Sequence, residues 1–335
     1  MVKAIQILAS ELTVLGIYAL THELGGSTRQ GLLTALLWTF YPPAIAYASD
    51  LSTVTMETFF LIPGIWLLLR AVKKQSHGML IPAGILLSLA ALTRSTWLVA
   101  VLLAMVWLTW YLRGKWRVWV KTALLFGLAA SFTLLPWVVY NYKIQGRLLL
   151  TSTNGGLNFW IGNNPHATGE YIFPTDIDRD LVNGVANLSE LSRDRFFYTQ
   201  GFDFIRNSPS QFISLLVRKL LYTIFFRPNI GSIYATAHIE MYNLAIDSFV
   251  IAWLALIPFA LLGLFHLGTH WSEHSLLILI FLGNVFTSAI YFSGTRFRTP
   301  VDGFVAIWAV IGLTILLRRL HLNKFLLRYT PGSGQ

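Results

Sequence analysis

Two absences limit what this chain can be. It contains no cysteine in 335 residues, which excludes disulfide bonds and a disulfide-stabilised ectodomain but does not fix the compartment. Only 12% of its residues are charged, whereas a soluble domain carries about 25%. The scarcity of charge therefore excludes a soluble globular domain with a large core.

Apolar segments take the place of the missing charge. Hydrophobic residues make up 55% of the chain, and the mean hydropathy is +0.60. Runs near twenty residues recur along most of the sequence, and each is long enough to cross a bilayer as a helix. The pattern predicts an all-α polytopic membrane protein with about nine transmembrane helices. The predicted spans are 4–21, 31–49, 53–70, 79–93, 96–112, 119–141, 243–265, 275–293 and 300–317.

One further apolar segment, 212–227, is short and carries Arg218 and Lys219 in its middle. We interpret it as an interfacial amphipathic helix. The chain then divides into a six-helix membrane core at 1–141 and an extracytoplasmic loop region at 142–212. Residues 213–335 contain the interfacial helix, three spans and a basic cytoplasmic tail.

The net charge of +10 is carried by the loops between spans. Because no single basic stripe is present, nucleic acid is not an expected partner. Basic loops lie mostly on the cytoplasmic side of membrane proteins, which sets the orientation. The residues concerned are Arg70, Lys73 and Lys74, then Arg113, Lys115, Arg117 and Lys121, and finally Arg318, Arg319, Lys324 and Arg328. The C-terminus is predicted to be cytoplasmic.

Nine crossings place the N-terminus on the outer side. The opening residues lack the features of a signal peptide, because their basic region is minimal and no small-residue cleavage site follows a short apolar core. We expect either a further span upstream of this sequence or a protein whose N-terminus lies outside.

Three arginines lie on the predicted outer side, where short hairpins disfavour basic residues. Arg94 stands in the turn LTRST, and Arg296 and Arg298 stand in YFSGTRFRTP. A guanidinium fork matches phosphate oxygens and does not lose its proton. The three arginines are therefore candidate phosphate ligands, while contact with lipid headgroups or snorkelling remains the alternative.

Two carboxylates lie near these arginines in the predicted topology. Asp50 and Glu57 both occur in YASDLSTVTMETFF, and ionisable groups inside a membrane are costly and so are functional candidates. A structural pair of Glu57 with Arg94 is the alternative, and both can hold. Because these charged groups all map to the outer half of the membrane, they favour an outward-facing active site over a transport path.

Four segments resemble the GT-C superfamily of integral-membrane glycosyltransferases, in particular the bacterial group related to protein O-mannosyltransferases and lipid A aminoarabinose transferases. They are YPPAIAYASDLSTVTMETFF, LAALTRST, LLPWVVYNYKIQGRLLLTSTNGGLNFWIGNNPHATG and YFSGTRFRTPVDGF, of which the third is the most specific. Such enzymes usually carry a catalytic aspartate in a first outer loop. This chain begins at what resembles their second span, so the resemblance implies that the N-terminal span and that loop are lacking.

The resemblance implies a hexosyl or pentosyl transferase. A sugar would pass with inversion from a polyprenyl-phosphate donor in a bacterial cytoplasmic membrane to an envelope glycan, lipid or protein. The donor phosphate is assigned to Arg94, Arg296 and Arg298, and the catalytic carboxylate to Asp50 or Glu57. Substrate-binding positions are Asn154, Asn158, Asn163 and Tyr291. No cofactor and no metal ion are implied.

Two other classes remain open. One is a non-catalytic or truncated membrane subunit with a GT-C-like fold, and the other is a transporter or polymerase of lipid-linked glycans. A polymerase would share the phosphate-binding arginines but need not keep the Asn-Gly loop. A transporter should expose charged groups on both sides of the membrane.

Overall fold

A computed structural model describes residues 2–150, 152–225 and 239–320 of the chain. The elements of these ranges are helical, and their only β-type pairing is an isolated bridge between Glu170 and Ser293. The helices are α1 Val2–Glu23, α2 Thr28–Thr39, α3 Pro42–Ser49, α4 Val54–Lys73, α5 Leu80–Thr93, α6 Leu98–Tyr111, α7 Trp116–Gln145, α8 Gly155–Gly162, α9 Pro174–Ile177, α10 Arg179–Gly184, α11 Glu190–Asn207, α12 Pro209–Phe225, α13 Ile239–Leu264, α14 Trp271–Ile290 and α15 Thr295–Arg319.

Six helical stretches in the described ranges are long and apolar enough to cross a membrane. They are Val2–Glu23, Val54–Lys73, Trp116–Gln145, Asp247–Leu264, Gly268–Ile290 and Thr295–Arg319. Two shorter apolar helices, His77–Thr93 and Ser95–Tyr111, contain α5 and α6 together with the 3-10 turns before them. The predicted class of a multi-pass all-α membrane protein is confirmed, whereas the total of nine spans stays a prediction.

The prediction of one continuous span at 31–49 is wrong. α2 ends at Thr39 and α3 begins at Pro42. Tyr41 between them has an extended backbone, with φ −73° and ψ 114°. Two consecutive prolines explain the break, because a proline disfavours helical backbone in the residue before it and donates no N–H. The break turns Tyr41 inward, where its ring stacks on Trp38 at 5.5 Å.

α15 is the best-enclosed span, since it has the largest buried share of the six. It packs against α13 through a close approach of the two backbones. A Cβ atom at Gly312 would lie 1.9 Å from the carbonyl oxygen of Phe259, and one at Gly263 would lie 2.0 Å from that of Trp308. Small residues permit such contact between membrane helices, so these two glycines fix α13 against α15.

α12 packs against both α11 and α14, and helices α8 to α11 form a layer at one end of the bundle. Its apolar cluster includes Trp160, Val185 and Phe197 together with Phe292 from the connection between α14 and α15. This shared cluster attaches the layer to the end of the bundle where α14 ends and α15 begins. We call this region the loop-side end.

α12 covers positions 212–225 of the segment predicted as an interfacial helix, whose last two residues lie outside the described ranges. Its two basic residues have different surroundings. Arg218 is exposed, whereas Lys219 is fully buried. Neighbouring helical positions differ by about 100° in direction, which permits this separation. Lys219 therefore belongs to the protein interior and does not face a membrane surface.

Candidate active site

Glu57 and Arg94 form the predicted ion pair at the loop-side end. The Nε atom of Arg94 lies 2.9 Å from Oε1 of Glu57, whose side chain is fully buried. The indole Nε1 of Trp97 donates to Oε2 of Glu57 at 2.8 Å, and the Thr53 hydroxyl donates to Oε1. Both carboxylate oxygens are thus engaged, so Glu57 mainly holds Arg94 in place.

Local backbone structure explains why the two residues meet. Glu57 stands in the first turn of α4, and Arg94 follows the last residue of α5 with an extended backbone, at φ −149° and ψ 124°. α4 and α5 pack along each other as neighbours, so the start of one lies beside the end of the other. The Thr53 hydroxyl also accepts from Nη2 of Arg94 at 3.1 Å, so Thr53 contacts both members of the ion pair.

Arg94 meets a second arginine, Arg296, on one aromatic ring. The guanidinium carbons of Arg94 and Arg296 lie 4.7 Å and 4.8 Å from the centroid of the Phe297 ring. Arg296 also lies 5.6 Å from the ring of Tyr171. Two guanidiniums against the single carboxylate of Glu57 leave these three charged groups with a net charge of +1, which suits an anion. We call Glu57, Arg94, Arg296 and Phe297 the arginine cluster.

The structure does not bring Arg298 to the same surface as Arg296. α15 begins at Thr295, earlier than predicted, so both arginines lie on a helix, where positions two apart point about 200° from each other. Arg296 is exposed, whereas Arg298 is only 2% exposed. The two side chains therefore cannot act as one fork toward a shared phosphate.

Arg298 is held in the interior by groups from three helices. Its Nε donates to Oδ1 of Asp302 at 2.8 Å, and its Nη1 donates to the Thr223 carbonyl at 3.2 Å. The guanidinium carbon lies 3.6 Å from the centroid of a Trp253 ring. Tyr41 completes the group by donating to Oδ2 of Asp302 at 2.8 Å. This network joins α12, α13 and the break between α2 and α3 to the first turns of α15.

Of the two candidate catalytic carboxylates, that of Asp50 has fewer hydrogen-bond and ion-pair partners than that of Glu57. It follows α3, and its backbone carbonyl accepts from Nε2 of Gln6 at 3.0 Å. Within the described ranges its half-buried carboxylate receives no hydrogen bond and no ion pair. It lies three residues before Thr53, which contacts both members of the Glu57–Arg94 pair. Asp50 therefore offers free carboxylate oxygens close to the cluster in sequence.

Asn163 is placed inside the fold and not in an open pocket. Its amide nitrogen donates to the carbonyls of Phe159 and Ile290, both at 2.8 Å. Its Oδ1 accepts from Nζ of Lys219 at 3.1 Å. Lys219 was not predicted to join the site region, and burial lowers its pKa to about 7. The Asn163 amide thus ties α8 and α12 to the end of α14.

A cavity of about 300 Å³ lies between α6 and α14 and is covered by α8 and α11. Asn158 and Tyr291, both predicted substrate-binding residues, line it, whereas Asn154 is exposed beside α8. The full lining is Ser95, Thr96, Leu98, Val99, Leu102, Ser152, Gly155, Asn158, Tyr198, Asn284, Thr287, Ser288, Tyr291, Phe292 and Phe297. The guanidinium groups of Arg94 and Arg296 also contact the Phe297 ring, so the cavity adjoins the arginine cluster.

Tyr198 is a cavity residue that the sequence did not reveal. Its hydroxyl lies 3.5 Å from that of Tyr291, and burial raises its pKa above the ordinary value. It occurs in SRDRFFYTQGFDF, where aromatic residues recur at helical spacing. That pattern predicts a packed helix face and gives no sign of which aromatic residue borders a cavity.

The Gly-Gly pair of the loop motif is explained by close packing of α8 on α11. A Cβ atom at Gly155 would lie 2.3 Å from the Tyr198 hydroxyl, and one at Gly156 would lie 1.9 Å from the Asp194 carbonyl oxygen. The Asp194 carboxylate accepts from the backbone N–H of Gly156 at 2.6 Å, and burial raises the pKa of that carboxyl. The glycines therefore bring the start of α8 against α11, above the cavity.

Comparisons with known proteins bear on the first part of the chain and on its fold. The model of the family described as dolichyl-phosphate-mannose-protein mannosyltransferase matches residues 1–140. No curated protein sequence matches the chain significantly.

Two solved structures have a similar fold. One is the archaeal oligosaccharyltransferase AglB from Archaeoglobus fulgidus in complex with an inhibitory peptide and a dolichol-phosphate. It has a TM-score of 0.54 and 15% sequence identity over 98% of this chain. The other is the Archaeoglobus fulgidus oligosaccharyltransferase in the apo form, with a TM-score of 0.55 and 17% identity over 96% of this chain. The chain spans only 40% of the length of either relative. These comparisons confirm the predicted GT-C superfamily fold.

Proposed function

We propose that the chain is an inverting membrane glycosyltransferase. It would transfer a sugar from a polyprenyl-phosphate donor to a glycan, lipid or protein on the extracytoplasmic side of a bacterial cytoplasmic membrane. The match to a mannosyltransferase family and the GT-C fold support this reaction class. A dolichol-phosphate is present in the complex of one structural relative, which supports a lipid-phosphate donor.

The arginine cluster is the observation that carries the proposal. Arg94 and Arg296 converge on the Phe297 ring, and Nη1 of Arg94 is buried without a hydrogen-bond acceptor in the described part of the chain. A buried donor without a partner is costly, and a phosphate oxygen would satisfy it. The planar guanidinium group presents a fork of N–H donors that matches phosphate oxygens. The cluster therefore suits a phosphate, whose oxygens can accept from the buried donor of Arg94.

The first turn of α15 adds to this electrostatic site. Arg296 is the second residue of α15, and no side chain in the described part of the chain caps that helix start. The N–H groups of a helix start carry partial positive charge and favour anions. When the glycosyl bond breaks, negative charge grows on the phosphate, and cations fixed beforehand lower the barrier. Arg94, held by Glu57, and Arg296 would supply that stabilisation.

The remaining predicted residues receive distinct proposed roles. Asp50 would accept the proton of the acceptor hydroxyl, because no described residue pairs with its carboxylate, while both oxygens of Glu57 are engaged. Arg298 would act from a distance, since its ion pair with Asp302 fixes the first turns of α15. Asn154 would contact the acceptor at the exposed edge of α8.

Binding of farnesyl phosphate to the protein in lipid nanodiscs tests the proposal. Arg296→Gln and Arg296→Lys should each weaken binding about ten- to a hundredfold, because a charge-assisted bond contributes about 1.5–3 kcal/mol and lysine lacks the fork. Arg179, exposed on α10, provides the matched controls Arg179→Gln and Arg179→Lys, which should bind like the parent. Unchanged affinity in both Arg296 variants would refute the phosphate site.

A further inference from the structure

Glu11 is a carboxylate near the middle of a membrane-spanning helix. It stands in α1, about 14 Å along the helix from Val2 and about 18 Å from Glu23. Its side chain is exposed, and it has no hydrogen-bond or ion-pair partner among the described residues. A charged group at this depth is costly and almost always pairs with another group. The described fold therefore leaves Glu11 without the partner that such a group requires.

A groove of about 260 Å³ between α1, α2 and α3 contains Glu11. We call it the Glu11 groove. Small or polar side chains make up much of its lining, namely Ser10, Thr39, Ala44, Ala48 and Ser49. Ala44 and Ala48 are one helical turn apart on α3, and small residues let a second helix approach the backbone closely. The shape of the groove thus fits another helix.

The break between α2 and α3 adds a hydrogen-bond acceptor to the Glu11 groove. In a continuous helix the N–H of residue 43 would donate to the carbonyl of Thr39, but residue 43 is a proline and has no N–H. Thr39 lines the groove and is exposed. A backbone carbonyl without a donor is costly in hydrocarbon. Glu11 and the Thr39 carbonyl therefore both require a hydrogen-bond donor.

Charge and depth indicate the chemistry of that donor. Lysine and arginine present several N–H groups together with a positive charge that complements Glu11. The amine of a lipid headgroup stays at the membrane surface, whereas Glu11 lies near the middle of its span. A second copy of this chain in a two-fold arrangement would bring another carboxylate to the same place. The complementary occupant is a helix of a different protein with a basic residue within its span.

We propose that the Glu11 groove docks a transmembrane helix of another polypeptide, whose lysine or arginine pairs with Glu11 at the middle of the membrane. Leu8, Leu12 and Leu15 are exposed at helical spacing beside Glu11 and would pack on apolar residues of that helix. The surface does not include the arginine cluster, so the inference does not depend on the proposed function.

The test measures how designed transmembrane peptides associate with the protein in liposomes. Each peptide has about twenty alternating leucine and alanine residues between terminal tryptophans, and its central residue is lysine, leucine or glutamate. Energy transfer from a dye on Lys74→Cys to a dye on the peptide reports binding, since the native chain has no cysteine. The lysine preference is the ratio of the dissociation constant of the leucine peptide to that of the lysine peptide.

The parent should show a lysine preference of about threefold to thirtyfold, as expected for a polar contact between membrane helices. Glu11→Leu should remove the preference, and Glu11→Lys should bind the glutamate peptide more tightly than the lysine peptide. Ala48→Trp should weaken binding of the lysine peptide about threefold or more, because its indole fills the groove. Leu254→Trp, at an exposed position of α13, is the matched control and should bind like the parent.

Equal binding of the lysine and leucine peptides to the parent would overturn the inference, as would a lysine preference that persists in Glu11→Leu. Parental affinity in Ala48→Trp would also overturn it, since the contact would then lie outside the groove. Energy transfer between two labelled copies of the protein that is lost in Glu11→Leu would assign the groove to a second copy instead. If Glu11→Lys does not assemble in liposomes, Glu11→Leu decides the result, because it removes a charge from an exposed position.

Discussion

Removing Arg94 tests whether the Glu57–Arg94 pair is an energetic unit. In Arg94→Ala the buried carboxylate of Glu57 keeps the hydrogen bonds from Trp97 and Thr53 but loses its counter-ion, which lies at 2.9 Å. Glu57→Gln leaves the opposite defect, a guanidinium without its carboxylate. In Glu57→Gln combined with Arg94→Ala neither residual charge remains.

The structure sets the expected magnitude. Breaking a fully buried pair costs about 3–5 kcal/mol, but Arg94 is 18% exposed and solvent offsets part of the loss. We therefore expect Arg94→Ala to lower the free energy of unfolding by about 2–4 kcal/mol. The double variant should be less destabilised than the sum of the single variants by about 1–3 kcal/mol, because the two groups are in direct contact.

Unfolding by sodium dodecyl sulfate in mixed micelles, followed by tryptophan fluorescence, gives the required free energies. Arg179→Ala, at an exposed site on α10, is the control and should stay within about 0.5 kcal/mol of the parent. Strictly additive losses in the double variant would refute the reasoning, since they would mean that Glu57 does not depend on Arg94.

Three further predictions concern other parts of the molecule. The pKa of Lys219 is lowered to about 7 from 10.5 by burial, so the unfolded chain binds the additional proton between these values. Stability of the parent should therefore rise from pH 7 to pH 10 relative to Lys219→Met, and equal pH dependence in the two melting curves would contradict this. Asp50→Asn should abolish sugar transfer while farnesyl phosphate binding stays within about twofold, since only the proton acceptor is lost; full transfer by this variant would exclude Asp50 as the base. An impermeant thiol reagent applied to intact cells should label Asp180→Cys but not Lys115→Cys, because the native chain has no cysteine and basic loops are cytoplasmic; the reverse pattern would invert the topology.

Composition and apolar runs were sufficient to predict the class of the fold. Helices α4, α7, α14 and α15 lie close to their predicted spans, since a membrane span needs about twenty apolar residues. The backbone preferences of Pro42 and Pro43 also predict a break at this point. The apolar run continues across both prolines, so hydropathy alone indicates one uninterrupted span. An apolar run thus predicts a long helix well when no proline or similar backbone constraint lies within the run.

The candidate site was harder to predict, because its chemistry depends on where helices start and on partners distant in sequence. Because α15 starts at Thr295, both Arg296 and Arg298 are helical and point in different directions. A helix start a few residues later in the sequence would leave both arginines outside the helix. Lys219 is buried because Asn163 and the Ile290 carbonyl provide its acceptors, and neither is near it in the chain. Contacts of this kind follow from packing and leave no periodic signal.

The enclosure of α15 affects how the arginine cluster responds to a ligand. Arg296 extends from a helix that is fixed to α13 at Gly263 and Gly312 and to the interior through Arg298. A charge attached to such a support has nearly the same position before and after an anion arrives. In the proposed reaction, little binding free energy would then be lost in reordering the protein, and the reorganisation during bond cleavage would be confined to the substrate and its nearest water molecules.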